Sequence, residues 1–282
     1  MSRLILQIGK LEQLYLKQSD FIMKPFARSL FALLLGAAMF KACSVKEDRT
    51  ECPCRLNLDF SELDAAVIDS IEVTGIANGN IVLSDAIYAE DFGREYTALV
   101  PRGSLNLAVV SGIDGIDIEK GIMQIPLGSD CPQVYMHVAQ IDTYCETVLE
   151  KVLLRKNFCR LDLCVEDENG FPFMFAVKGN VDGYKSDGTP TQGEFYCAAY
   201  QTSEGEYRVF LPRQLDTSLC LDINDGTDVL KTFALGEIMA ASGYDWDAPD
   251  LKDVTVGIDY SRSEVSISVE GWDKVYVYDF VI

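Results

Sequence analysis

The residue with the most chemistry to offer is Cys43. It closes the stretch Met23–Cys43, MKPFARSLFALLLGAAMFKAC, which has a basic head (Lys24, Arg28), an apolar run from Leu30 to Phe40, and Ala42 directly before the thiol. That layout is a secretory signal. The run falls short of the roughly 20 apolar residues a spanning helix needs. A cysteine just after a small residue is the acylation point of a bacterial lipoprotein signal, where the thiol carries the lipid and becomes the mature N-terminus. Phe40 and Lys41 stand where such signals carry a leucine and a small residue, and the plainer reading is an ordinary signal with Cys43 as a bystander. Stable attachment takes more than one acyl chain, which a diacylated and N-acylated cysteine supplies. Residues 1–22 precede this plan; the expectation is that Met23 is the natural start and that residues 1–42 are removed.

Other reactive groups do not assemble. Eight further cysteines follow, Cys52, Cys54, Cys131, Cys145, Cys159, Cys164, Cys197 and Cys220; an exported compartment permits disulfides, and eight cysteines allow 105 connectivities. Cys159 and Cys164 are five apart, which places them on opposite faces of a strand. Cys52 and Cys54 have no second pair to complete a metal site. The one histidine, His137, excludes a His-based metal centre; on parity it opposes Met136 and Val138 and is expected at solvent or a sheet edge. No Gly-x-Ser-x-Gly elbow or phosphate loop occurs. Asp222–Asp228 (DINDGTD) and Asp245–Asp250 (DWDAPD) are acidic but lack calcium-loop spacing, and acidic turn residues mostly serve turns. Tyr184, Phe195, Tyr196, Tyr200, Tyr244 and Trp246 could line a sugar-binding face, or pack a core. The expectation is a non-enzyme with no cofactor and no metal.

Charge narrows the partners. Six of the 24 Lys and Arg and two of the 44 acids precede Cys43, which leaves 18 basic against 42 acidic side chains, a net charge of −24. Such a surface repels nucleic acid and anionic membranes. The 240 residues from Cys43 onward, in a chain 48% hydrophobic, suffice for one large or two ordinary domains.

The elements that would position any site come from an internal repeat. Cys54-Arg-Leu-Asn-Leu recurs as Cys159-Arg-Leu-Asp-Leu. Val100-Pro-Arg102, followed by Ser104-Leu-Asn-Leu107, recurs as Leu211-Pro-Arg213, followed by Ser218-Leu-Cys-Leu221. Both copies alternate apolar and polar residues with period two, as at Leu56, Leu58 and Phe60 or Leu161, Leu163 and Val165, the pattern of half-buried strands. Asn78-Gly79 and Asp225-Gly226 are hairpin signals. Leu235–Ser242, ended by Gly243, is the one convincing helix. About seven short strands per copy predict two β-sandwiches, with residues 43–51 as linker, 52–150 as the first domain and 151–282 as the second.

The signal ending at Cys43, an acidic spacer and Cys52-Pro-Cys-Arg-Leu-Asn-Leu58 resemble the FimB-like fimbrillin-associated anchor lipoproteins of the Bacteroidales. So do Leu211-Pro-Arg-Gln214, Leu235-Gly-Glu237, Gly243-Tyr-Asp-Trp246 and Ser266-Ile-Ser-Val-Glu-Gly-Trp272. The resemblance spans about residues 43–282. It implies two tandem transthyretin-like Greek-key β-sandwiches, lipid attachment to the outer membrane, a place at the cell surface, and a role as anchor or accessory subunit of a fimbria whose partners are other fimbrial subunits. Lys46-Glu47-Asp48 resembles the surface-export signal of lipoproteins of this phylum. The alternative is a surface glycan- or protein-binding lipoprotein of the same fold outside any fimbria. Strand exchange is the expected mode of assembly. The C-terminal run Lys274–Ile282 carries Val275, Val277, Asp279 and Val281 on one face and Tyr276, Tyr278, Phe280 and Ile282 on the other; read as apolar on both, it is expected to be buried on both. Val275, Val277, Val281 and Ile282 are the candidate assembly residues.

Overall fold

Period-two alternation becomes strands along nearly the whole chain, as the computed structural model shows for residues 52–113, 118–119, 122–166, 174–259, 264–270 and 275–279. In chain order these are β1 (Cys54–Asp59), β2 (Ser70–Ala77), β3 (Asn80–Tyr88), β4 (Tyr96–Val100), β5 (Ser104–Ser111), β6 (Ile118–Glu119), β7 (Ile122–Gln124), β8 (Tyr135–Asp142), β9 (Thr147–Lys151) and β10 (Arg155–Lys156). Then come β11 (Phe158–Glu166), β12 (Met174–Lys185), β13 (Pro190–Ala198), β14 (Tyr200–Ser203), β15 (Glu206–Pro212), β16 (Cys220–Asn224), β17 (Val229–Phe233), helix α1 (Leu235–Ala241), β18 (Val254–Asp259), β19 (Glu264–Val269) and β20 (Val275–Asp279). The protein is all-β but for α1 and one 3-10 turn among the described residues.

The repeat seen in the sequence is a repeat of topology. β1 pairs antiparallel with β4 and parallel with β9; β11 pairs antiparallel with β15 and parallel with β18. The landmarks even share register, Cys54 opposite Val100 and Cys159 opposite Leu211. The facing sheets run β8-β5-β2-β3 in the first copy and β17-β16-β12-β13 in the second. Each pair of sheets closes on its own core. Cys54, Leu56, Leu58, Val73, Leu105 and Leu107 fill the first; Cys159, Leu161, Phe175, Val177, Leu211 and Leu221 fill the second. Full burial of each such side chain contributes about 1.5–3 kcal/mol.

Turn chemistry places the hairpins. Asn78 and Gly79 both take positive φ, 52° and 75°, which matches the twist of the flanking β2 and β3. In the β16–β17 turn the Asp225 carboxylate accepts from the N–H groups of Thr227 and Asp228, both at 2.9 Å. That carboxylate is spent on the turn, and Asp245 likewise accepts from the Asp247 N–H at 2.9 Å.

The copies exchange one segment. The expected division at 150/151 would leave Ile113, residues 118–119 and residues 122–134 with the first copy, yet these described residues pack and pair with the second. β7 pairs with the far end of β12, where a Cβ on Gly183 would stand 2.0 Å from the Met123 carbonyl oxygen; only glycine permits this approach. Beyond it, Ile125 N–H donates to Asp182 O (2.7 Å), Gly128 N–H to Tyr196 O (2.7 Å) and Cys131 N–H to Phe210 O (3.0 Å). Ile113, Met123, Ile125, Cys131, Val134 and Met136 thereby belong to the second core.

Candidate assembly site

Of the four candidate assembly residues, Val275 and Val277 lie on β20; Val281, Ile282 and the lipidation candidate Cys43 fall outside the described residues. β20 ends the sheet β14-β15-β11-β18-β19-β20 and pairs antiparallel with β19, Val277 opposite Ser266 and Val275 opposite Ser268. Among the described residues no strand flanks its other side.

The two faces of β20 differ, contrary to the burial on both faces expected from its composition. Val275 and Val277 are 61% and 60% exposed, beside the serines of β19. Tyr276 and Tyr278 are half-buried, opposite the core residues Ile267 and Val265. The Tyr278 hydroxyl meets Ser242 Oγ at 2.9 Å and lies 3.4 Å from the Ile238 carbonyl oxygen. Ser242 Oγ itself donates to that carbonyl at 2.9 Å. One phenol thus latches the terminal strand to the C-terminal turn of α1, while the valine row is left to solvent. The latch was not readable from sequence, because Tyr278 and Ser242 are 36 residues apart. Edge strands of this kind present backbone donors and acceptors to any chain that approaches.

Inboard of that edge the outer face of the sheet is held by ion pairs. Asp253 bridges Lys156 Nζ (2.5 Å) and Arg160 (3.2 Å); Asp162 bridges Arg160 Nε (3.1 Å) and Arg208 Nε (2.7 Å). The Asp162 carboxylate beside Arg208 holds the guanidinium pKa above its ordinary value. Pairs this exposed add little stability individually, but they span β10, β11, β15 and the entry to β18 and secure their alignment. Cys164 lies on this outer face, lining a groove of ≈190 Å³ with Gly257, Ser266 and Val277, while Cys159 is fully buried. The two cysteines of β11 therefore point apart, as their spacing requires.

Other candidate residues settle into structural roles. His137 is not turned to solvent with a free ring: Leu153 N–H donates to its Nδ1 at 3.3 Å and its Nε2 meets Glu150 Oε1 at 3.2 Å. The reason is that the opposite row, Met136 and Val138, is turned toward the second copy; Met136 is part of that core, and Val138 lies 3.2 Å from a Cβ built on Gly188. Tyr184, Phe195, Tyr244 and Trp246 are buried, so these four pack the core and form no sugar-binding face. Arg102 and Arg213, the arginines of the repeat, both capture backbone carbonyls. Arg102 donates to Cys52 O (2.7 Å) and Tyr144 O (2.8 Å); Arg213 donates to Asn157 Oδ1 (3.1 Å), Ala248 O (2.8 Å), Pro249 O (3.4 Å) and Trp246 O. Sequence reading also missed a cleft of ≈500 Å³ between the copies, lined by Glu72, Thr74, Ile81, Met123, Met136 and Lys185 among others. Its walls come from segments far apart in the chain.

No described helix is long and apolar enough to cross a membrane, and among the described residues no group of three His, Cys, Asp or Glu side chains is placed to hold a metal ion. The fold is an all-β, two-core architecture shared with solved structures from Bacteroides and Porphyromonas. The chain is similar to a candidate adhesin from Bacteroides ovatus, at 14% identity and TM-score 0.57, covering 83% of this chain and 97% of that one. It is similar to a candidate polysaccharide-binding protein from Bacteroides thetaiotaomicron, at 14% identity and TM-score 0.59, covering 81% and 98%. It is also similar to the fimbrial anchor protein Mfa2 from Porphyromonas gingivalis, at 13% identity and TM-score 0.54, covering 78% and 98%. No protein-family model and no curated protein sequence matches the chain.

Proposed function

We propose that this chain is a non-enzymatic lipoprotein of the outer membrane, lipidated at Cys43 and exposed at the cell surface, where it serves as anchor or accessory subunit of a fimbria. The observation that carries the reading is the shared architecture, over 98% of its length, with a fimbrial anchor protein. The signal layout at Cys43 supports the lipid anchor. Subunits assemble through the C-terminal edge, with Val275, Val277 and Val281 as the contact row, Ile282 contributing from the opposite face, and strand exchange or strand addition as the mode. In either mode backbone hydrogen bonds give affinity and alternating side chains give register.

The test separates anchoring from assembly. Radiolabelled palmitate should enter the wild type and not Cys43→Ser; equal labelling would remove the lipid anchor from the reading. The double variant Val275→Glu, Val277→Glu changes only exposed side chains and is expected to alter stability by no more than about 0.5 kcal/mol. It should reach the surface in wild-type amounts and lose fimbrial attachment, because charges on an edge strand block pairing. Normal attachment by that variant, or by a deletion of residues 277–282, would overturn assembly through this edge.

A second reading rests on the ≈500 Å³ cleft, whose mix of hydroxyl, charged and apolar walls suits a polar ligand such as a glycan. Saturable binding to a glycan array that is lost on Lys185→Ala, in cells that make no fimbria, would favour it.

A further inference from the structure

We propose that Cys54 and Cys145 form a disulfide in the exported protein, joining the first strand of the fold to the turn that leads into β9. Cys54 opens β1 and is fully buried, while Cys145 is exposed in the turn before β9. The β1–β9 ladder sets Arg55 opposite Thr147, which brings the backbones next to Cys54 and Cys145 side by side, and the Cys145 side chain is near enough to act on the Cys54 thiol electrostatically. The backbones on either side are already fixed for the link. Arg55 N–H donates to Glu146 O at 2.9 Å, and Arg102 holds Cys52 O at 2.7 Å and Tyr144 O at 2.8 Å. One guanidinium thus grips the chain two residues before Cys54 and one residue before Cys145. The Cys145 thiol has only weak local acceptors, Thr147 O at 3.5 Å and Asp142 O at 4.0 Å.

The internal repeat supplies an independent comparison. The shared register, Leu56 opposite Val148 and Leu161 opposite Val254, makes Leu251 the second copy's counterpart of Cys145. Leu251 is buried in the second core below Cys159, the counterpart of Cys54. Only the first copy exchanges this apolar plug for a thiol, and it does so against the one partner position that also carries a thiol.

The step is a two-electron oxidation by thiol–disulfide exchange with a protein disulfide oxidant of the exported compartment. The accessible Cys145 thiolate attacks the oxidant's disulfide and gives a mixed disulfide. Cys54, deprotonated as it attacks, displaces the oxidant's remaining sulfur, which leaves as a thiolate. Two S–H bonds are lost, one S–S bond forms, and the oxidant departs as a dithiol with the two electrons and two protons. Burial pushes the Cys54 thiol pKa up, which suits it to the second, intramolecular attack rather than the first.

The consequence rests on the lipid-anchor reading. β1 is the first strand of the described residues and the centre of the sheet β4-β1-β9, so tension between membrane and fibre enters the described fold through β1. A covalent link at its start passes that load directly into β9.

The experiment uses the full chain exported to an oxidising compartment, with thiol exchange quenched by acid at lysis so that free thiols stay unmodified. A mass-tagging maleimide in denaturant should label six of the eight cysteines after Cys43, and all eight after reduction. Proteolysis should yield one linked peptide pair, Cys54 with Cys145. Cys145→Ser, an exposed change, should abolish the linkage and lower the denaturant midpoint to that of the reduced wild type, whereas Cys52→Ser should keep both. Eight tags without reduction, or a linked pair that joins Cys52 to Cys145, would overturn the proposal. Palmitate labelling of the same samples reads the lipid anchor separately, so failure of either inference is visible alone.

Discussion

Arginine does the fastening in both copies, and its geometry explains why the two Pro-Arg landmarks survive as a pair. A guanidinium offers five donors in a fixed fork, and Arg213 spends four contacts on Asn157, Trp246, Ala248 and Pro249. The Trp246, Ala248 and Pro249 carbonyls belong to the loop that follows α1, which has no ladder of its own. The Arg213 N–H also donates to the Tyr184 hydroxyl at 2.8 Å, and that hydroxyl donates to Asn157 O. Arg213→Ala should cost about 2–3 kcal/mol, the range for losing charge-assisted hydrogen bonds and leaving part-buried acceptors unmade. Arg213→Lys should recover less than half of it, because a single ammonium cannot reach acceptors spread along a loop. Chemical denaturation of the three proteins checks both; a lysine variant as stable as wild type would show that charge alone suffices.

Turns and strands carry the pH dependence. Hydrogen bonds from nearby residues hold four turn carboxyls below the usual range: Ser61 N–H for Asp59, Thr189 for Asp187, Ser218 for Asp216, and the N–H groups of Asp228 and Thr227 for Asp225. A folded pKa below the unfolded one means stability that is present above the unfolded pKa and lost as pH falls through the folded one. Asp130 acts in the opposite sense. Burial raises its pKa, against the N–H of Phe210 and the Cys197 thiol, so it lowers stability as it ionises. Four groups against one predict a denaturant midpoint that declines steadily from about pH 5 to about pH 2. Asp130→Asn should steepen that decline, which denaturation at several pH values measures; a midpoint that rises on acidification would contradict the assignment. At the scale of sheets, the copies differ in what flanks the common strands. β19 and β20 extend the second copy's sheet beyond β18 and β14 extends it beyond β15, while β9 and β4 remain edges, with Leu149 and Leu99 exposed.

Cohesion of the whole molecule depends on the segment that crosses over. Ile113, Met123, Ile125, Cys131, Val134 and Met136 precede residue 150 but fill the second core. Six such side chains at about 1.5–3 kcal/mol each match the entire stability of a domain, about 5–15 kcal/mol. A fragment of residues 151–282 should therefore lack a cooperative thermal transition by itself and regain one when mixed with residues 52–150. The expectation of two separately folding sandwiches is tested by the same measurement: a 151–282 fragment that melts cooperatively and as late as the full chain would show that the crossing segment is dispensable.

The amino-acid sequence alone determined whatever is local or periodic. Strands follow from side chains that alternate every second residue, the β2–β3 turn from Asn78-Gly79, the end of α1 from Gly243, and the doubled architecture from landmarks repeated in the same order. Each depends on neighbours in the chain or on similarity to itself. Tertiary structure alone decided the relations between distant residues. It placed His137 against Leu153 and Glu150, carried Ile113 and residues 122–134 into the other core, latched Tyr278 to Ser242 and brought the turn of Cys145 to the start of β1. It also decided which apolar face of β20 is covered. Composition makes both faces of that strand equally fit for burial, and the position of α1 on one side, with no strand beyond among the described residues, leaves Val275 and Val277 in solvent.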